Sequence, residues 1–312
     1  MATRNQVVRF LHEVTGPAVG LPALRPLFPQ VPRCILADLL SRYRRVWRRR
    51  YCRKGYRLTW HVPGAVWAMD FSEAPHPIDG ACEYLFAVRD LASHYQLAWI
   101  PVPDQKAETV LPLLWQLFQE HGPPLVLKSD NGSAFIAETL TSFLAASNVS
   151  QLFSPVRRPQ FNGALERSNG TLKTYTGLHA IRQGHPLSWT SDDVEHARQL
   201  ANTISRPWGH RGPTPEEAWQ TRDPLDPDRR QAFQDAVQQN QPQAAVDLEI
   251  QDTSTLSPSN RRRLDRLTIS RAVEQSGYLT MKRERRRKRK RIRRPRADSD
   301  SSVPSRAAHH KD

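Results

Sequence analysis

Three short apolar runs between residues 65 and 102 constrain the fold more than any other feature of the sequence. Residues 65–71 (AVWAMDF), 84–89 (YLFAVR) and 95–102 (YQLAWIPV) are rich in Val, Ile and aromatic residues and are separated by short polar breaks. Such runs predict consecutive strands, here an antiparallel meander. The period then changes. Residues 105–120 (QKAETVLPLLWQLFQE) carry helical spacing, with Pro112 as a local conflict. Residues 125–127 predict a buried strand running into Asp130, 135–147 a helix, and 149–153 a fifth strand. Three strands in series followed by strands alternating with helices imply an α/β fold with a mixed five-stranded sheet and flanking helices. Pro, Asn and Gly mark 155–163 as a loop; 164–178 reads as a helix despite Gly170, and 191–204 as another.

The flanks differ in character. Residues 1–59 read as a small helical region: Val7, Val8, Phe10 and Leu11 share one face, and a later helix with Cys34, Ile35, Leu36, Leu39 and Leu40 ends in Arg44, Arg45, Arg48, Arg49 and Arg50. Short helices, a Pro-containing turn and a basic last helix suit a DNA-binding helix-turn-helix and equally suit a plain helical bundle with a solvated basic end. Residues 60–222 form the expected core. Residues 223–281 read as a linker, Gln-, Asp- and Arg-rich over 226–265, followed by a small folded piece around Leu267, Ile269, Val273 and Tyr278. Residues 282–312 read as a basic, largely disordered tail.

The charge is concentrated in that tail. The chain carries a net charge of +15, of which residues 282–296, with 12 Lys/Arg and one Glu, contribute +11. Such a run suits a polyanion, and Arg286, Arg287, Lys288, Arg289, Lys290 and Arg291 are candidate contacts to DNA phosphates. Other classes recede. Cys34, Cys52 and Cys82 are scattered and show no zinc-ligand or disulfide spacing. No apolar run approaches the roughly 18–20 residues of a membrane span, and the first residues lack a signal-peptide core. The sequence therefore predicts a chain without a membrane partner that stays in the compartment of its synthesis; the resemblance given below implies that this is a bacterial cytoplasm with its nucleoid.

Three carboxylates stand out by placement. Asp70 lies inside the first apolar strand, Asp130 follows the fourth, and Glu166 falls in the first turn of a helix. A carboxylate inside an apolar strand is costly unless it is paired or binds metal. Strand- and helix-borne acids converging on one point suit a pair of Mg²⁺ ions roughly 3.5–4 Å apart, the arrangement that serves phosphodiester cleavage. Hard oxygen donors without Cys or His fit Mg²⁺, with Mn²⁺ as a substitute.

Asp70 and Asp130 are separated by 59 residues, and Asp130 and Glu166 by 35. The words around them are WAMDFS, KSDNGSAF and SPVRRPQFNGALERSNGTLK. In spacing and wording the chain resembles the retroviral integrase superfamily, in particular the integrase-core transposases of bacterial insertion sequences. A weaker likeness continues through Asn202, Arg206, Pro207, His210 and Thr214-Pro215-Glu216-Glu217, with Ala201 in place of a common Tyr and Trp208-Gly209 inserted before His210. The likeness covers about residues 60–220. It implies a ribonuclease H-like fold and a DNA polynucleotidyl transferase that cleaves and joins strands at mobile-element ends. In it Asp70 bridges two metals while Asp130 and Glu166 each hold one. It also implies double-stranded DNA as partner and a homo-oligomer on that DNA. Alternatives are an inactive DNA-binding derivative and a nuclease of the same fold that hydrolyses without joining. The His/Cys zinc domain of retroviral members has no counterpart in the sequence.

Neighbouring residues have functional and plain readings. Asn131-Gly132 presents backbone N–H groups to phosphate or forms an ordinary turn. Pro159, Asn162 and Gly163 suit a loop that admits DNA, with Asn162 a candidate contact. Arg167, Ser168 and Lys173 lie on or near the Glu166 helix, Lys173 two turns along the same face, and Arg167 and Lys173 are candidate phosphate contacts. His94 and His121 read as loop or surface residues. Trp60, Trp67, Trp99 and Trp115 read as packing residues rather than base-stacking platforms.

Overall fold

The computed structural model describes residues 2–51, 54–155 and 163–285. The chain divides into a smaller unit that begins with Met1–Arg57 and a larger one, Leu58–Lys282.

In the smaller unit, helix α1 (Ala2–Phe10) is followed by a single π-helical segment, then α2 (Leu21–Leu27) and the long α3 (Arg33–Tyr51). Val7, Leu11, Leu24, Val31, Leu36, Leu40 and Tyr43 form its core. Residues 28–32, with Pro29 and Pro32, turn the chain between α2 and α3. Arg44 fastens α3 to the segment before α2, donating to the carbonyls of Pro17 (3.0 Å) and Val19 (2.6 Å). Arg33, Arg42 and Arg45 remain exposed on α3.

The larger unit is built on a five-stranded sheet. Its strands are β2 (Val66–Ile78), β3 (Cys82–Asp90), β4 (Gln96–Val102), β5 (Val126–Ser129) and β6 (Ser150–Phe153). The order across the sheet is β4-β3-β2-β5-β6. β2–β3 and β3–β4 are antiparallel; β2–β5 and β5–β6 are parallel. This is the expected mixed sheet of the ribonuclease H-like fold. The meander comes first because tight turns join antiparallel neighbours. The parallel strands need crossovers, which α4 (Ala107–His121) and the pair α5 (Ser133–Ile136) and α6 (Glu138–Ala146) supply. Pro112 is tolerated inside α4 because it sits on the exposed side.

Strand alternation divides the apolar run of β2 between two cores. Trp67 and Met69 pack with Phe86, Val88 and Leu127 against Val110, Leu114 and Phe118 of α4. Ala68 faces the other side, where Leu165 and Leu172 of α7 (Gly163–Arg182) cover the sheet with α8 (Ser191–Thr203). A short helix α9 (Pro215–Gln220) delivers Trp219 to the α4-side core.

One expectation fails. Residues 226–265 are not a linker: they hold all of α10 (Pro227–Asp247) and the first part of α11 (Pro258–Gln275), which pack as a helical hairpin within the larger unit. Phe233, Ala236, Ile269, Ala272 and Val273 join the core that contains Ala68 and Leu165, while Ala244, Ala245 and Leu264 form a small core of their own. The Gln-rich composition hid these helices because much of their contact face is Ala, too small to register as an apolar stripe. A second, two-stranded sheet pairs β1 (Lys54–Trp60) with β7 (Leu279–Arg285), so residues 223–281 end in structure and the first four residues of the expected disordered tail, 282–285, are strand instead. Arg286 through Arg291, the centre of the basic tail, lie outside the described residues. Among the described residues no helix is long and apolar enough to cross a membrane.

Candidate active site

Asp70 sits in mid-β2, where Ala87 of β3 is its cross-strand partner, and two residues earlier Ala68 pairs with Lys128 of β5. Residues paired this way point to one face. Asp70 and Lys128 therefore share the side of the sheet that α7 covers. Asp130 follows β5 directly and is half-buried. Its Oδ1 accepts the Gly132 N–H at 2.8 Å. A Cβ at Gly132 would lie 3.1 Å from that oxygen, so a side chain there would crowd the carboxylate. The Asn131 amide donates to the Ser154 carbonyl (2.8 Å) and ties the turn to the end of β6. The Gly132 N–H is thus committed to Asp130, and the phosphate-binding reading of Asn131-Gly132 gives way to a structural turn.

Glu166 stands in the first turn of α7, exposed, as the sequence predicts. One turn further, Asn169 is only 5% exposed, which means its amide must find partners inside the protein. Its Nδ2 donates to Asp70 Oδ2 at 3.3 Å, and its Oδ1 has no hydrogen-bond partner among the described residues. Sequence reading missed both Asn169 and Lys128. The signals were present: Asn169 lies three residues after Glu166 on the same helical face, and Lys128 is a charge inside the apolar strand LVLKS, two residues before Asp130.

Asp70 feels the other two acids. Burial, then the charges of Asp130 and Glu166, push the Asp70 carboxyl up from 3.8 to about 7, against opposing help from the Phe71 N–H and the Lys128 ammonium. Burial lowers Lys128 from 10.5 to about 8, and Asp70 and Glu166 oppose that fall. Beside them Arg89 of β3 donates to the His94 carbonyl (3.2 Å), to His94 Nδ1 (2.7 Å) and, at 3.4 Å, to the Ala164 carbonyl in the first turn of α7. Burial and then the Arg89 and Arg167 charges lower His94 to about 4, so it is neutral at pH 7. Rather than a free loop residue, His94 is half-buried at positive φ (63°) and helps hold the guanidinium beside α7.

Of the candidate phosphate contacts, Arg167 is exposed next to Glu166 and Lys173 is half-buried two turns along α7; Asn162 lies outside the described residues. Trp67 and Trp99 are buried as expected, and Trp60 is partly buried, but Trp115 is 58% exposed on α4 and is not a core residue. The segment 202–217 is a set of fastenings. The Asn202 side chain accepts from the Gln96 N–H (2.8 Å) and donates to the Gln96 carbonyl (3.0 Å). Thr214 and Glu217 form a capping box at α9, and Arg206 pairs with Glu217 (3.0 Å).

Do these residues suit divalent cations? Among the described residues no three His, Cys, Asp or Glu side chains are gathered closely enough to hold one ion between them. A shared arrangement does not need such a cage: each ion would take Asp70 and one further carboxylate, and Mg²⁺ keeps several of its waters. The donor set is all oxygen, and the burial and neighbouring carboxylate charges that raise Asp70 are what a cation beside it would offset. The residues fit the group.

Residues 61–159 match the family described as Integrase core domain, a span that includes Asp70 and Asp130 and stops short of Glu166. The chain is 30% identical over 166 residues to the Gag-Pol polyprotein of Woolly monkey sarcoma virus, covering 52% of this chain and 9% of the polyprotein. It is 33% identical over 120 residues to the Pol polyprotein of Radiation murine leukemia virus (strain Kaplan), covering 38% of this chain and 20% of that protein. It thus spans a small part of these relatives. Among solved structures, the HTLV-2 integrase catalytic core domain in complex with magnesium aligns at 18% identity and a TM-score of 0.42, over 51% of this chain and 97% of that one. A simian T-cell lymphotropic virus intasome chain, solved with the PP2A regulatory subunit B56 gamma, aligns at 16% identity and a TM-score of 0.46, over 72% of this chain and 76% of that one.

Proposed function

We propose that the chain is a divalent-cation-dependent polynucleotidyl transferase of the integrase type, which cleaves a DNA strand and joins the freed end to a target strand. The observation that carries this reading is the shared field of Asp70, Asp130 and Glu166, contributed by β2, the end of β5 and the first turn of α7. Asp70 would bridge two Mg²⁺ or Mn²⁺ ions, Asp130 one and Glu166 the other. When bound, the ions supply Lewis acidity at the scissile phosphate and make the attacking oxygen more acidic.

The protein's own groups orient these ligands. The Asn169 amide steers Asp70 Oδ2, and the Gly132 N–H fixes Asp130 Oδ1 and leaves the second oxygen free of that bond. Arg89 braces the first turn of α7 through the Ala164 carbonyl. Arg167 and Lys173 would take phosphates along the helix, and the basic tail, Arg286 to Arg291, would add affinity without reading sequence. In the first step water attacks a phosphodiester and frees a 3′-hydroxyl. In the second, that hydroxyl attacks a phosphodiester of the target and displaces a new 3′-hydroxyl. Joining two ends requires at least two copies of the chain on DNA.

The finer reading is a transposase of a bacterial insertion sequence, acting beside the nucleoid. The relatives reported above are retroviral Pol proteins rather than insertion-sequence proteins, and the α2–turn–α3 unit with its exposed arginines suits DNA binding in either setting. Oligonucleotides carrying candidate element ends, incubated with Mg²⁺ or Mn²⁺, test the proposal. Products longer than the substrate support strand transfer. Shortened products alone indicate a nuclease, and no product with either metal leaves a DNA-binding protein.

A further inference from the structure

Lys128 is out of place by the ordinary logic of a strand. Its neighbours Val126 and Leu127 are fully buried, and Lys128 itself is 5% exposed. An ammonium is expensive to bury unless charges of opposite sign face it. Its register opposite Ala68 sets it on the same side of the sheet as Asp70, one strand away. Asp70 and Glu166 are the charges it feels. The fold therefore brings a fixed monovalent cation into the field of the same acids that would hold divalent ones.

We propose that Lys128 is a built-in counter-ion of the acidic site, stabilising Asp70 and Glu166 in the metal-free protein and weakening the site's affinity for divalent cations. This rests on the reading of the three acids as a cation site. The physical reason is competition. A buried ammonium on the same face of the sheet as Asp70 repels a divalent cation held there, and in a partly buried site one unit charge shifts affinity by about tenfold or more. Removing it has two consequences. Metal-free protein loses the attraction of the two carboxylates but sheds the larger cost of burying the ammonium, so it is not destabilised. Metal-bound protein gains affinity because the competitor is gone. A lysine that merely filled space would leave the affinity unchanged.

The test is Mn²⁺ binding to the full chain without DNA, followed by the resonance of free Mn²⁺ in solution, with thermal melts in chelator alongside. The variants are Lys128→Met, Lys128→Arg and Asp70→Asn. Lys128→Met should bind Mn²⁺ about tenfold more tightly than the parent and melt no lower in chelator. Lys128→Arg keeps the charge and should stay near the parent in affinity. If Lys128→Met does not fold, Lys128→Gln is read in its place. Unchanged or weaker binding by the neutral variant, where Asp70→Asn loses binding, overturns the counter-ion role and leaves the cation site standing. Absence of saturable Mn²⁺ binding in the parent removes the cation site itself, and the counter-ion with it.

Discussion

Replacing Asp70 by Asn should stabilise the metal-free protein, and only above a definite pH. The Asp70 carboxyl is raised from 3.8 to about 7, by burial first and then by Asp130 and Glu166. Below pH ~4 the group is protonated in folded and unfolded chains alike, so it has no effect on stability. Between ~4 and ~7 the unfolded chain gives up the proton while the folded one keeps it, so stability falls as pH rises; above 7 the whole penalty is present. A gap of this size corresponds to about 4 kcal/mol. Asn cannot ionise and escapes the penalty. That figure already includes the attraction of Lys128, and local relaxation and water penetration reduce the effective penalty of a buried charge, so a net of about 2 kcal/mol at pH 8 is expected. For a unit the size of Leu58–Lys282 that is about 4–8 °C in Tm. Melts of parent and Asp70→Asn in chelator at pH 4, 6 and 8 read it directly, and Mg²⁺ at pH 8 should narrow the difference by stabilising the parent alone. Asp90→Asn is the control with the opposite sign. The Asp90 carboxyl, raised to about 6 by burial, accepts from the Gly64 N–H, the Ser93 N–H and the Ser93 hydroxyl. An amide would turn donors against those donors and should lower Tm. Equal Tm for parent and Asp70→Asn at pH 8, or a difference that ignores pH, would refute the shared acidic field.

Three further outcomes are expected. Deleting residues 286–296, beyond β7, should weaken DNA binding and flatten the dependence of log affinity on log salt by about 5, for roughly six phosphates neutralised; filter binding at several salt concentrations measures the slope, and an unchanged slope removes the tail from the interface. Ala244 is fully buried in the small α10–α11 core, so Ala244→Leu should overpack it and cost about 1–3 kcal/mol; an unchanged denaturant midpoint would contradict the helical hairpin. Asn202→Ala removes both bonds to the Gln96 backbone and should cost about 2 kcal/mol without changing Mn²⁺ affinity, whereas a selective loss of Mn²⁺ binding would give that segment a role in the site.

The parts of the fold that were legible in the sequence are those where burial forces a pattern. β2, β3 and β4 announce themselves because their strands are covered on both faces, so Trp67, Met69, Phe86 and Trp99 had to be apolar. α10 did not, because a helix buried through Phe233 and three alanines needs no broad apolar face, whereas Ile269 and Val273 of α11 fell within the expected folded piece. The same division runs through the site. Asp70 and Asp130 were visible as acids in apolar surroundings. Asn169 and Lys128 were not, because their meaning lies in contacts between elements: Asn169 matters only once α7 lies over β2, and Lys128 only once β5 lies beside it. A sequence can expose a charge that is costly to bury, but the group that offsets the cost is identified by the register of a neighbouring strand or the turn of a covering helix. The acids report what a site of this kind binds. The conditions under which it binds are set by their partners, and the pairing of Ala68 with Lys128, two residues from Asp70, is where that control would be found.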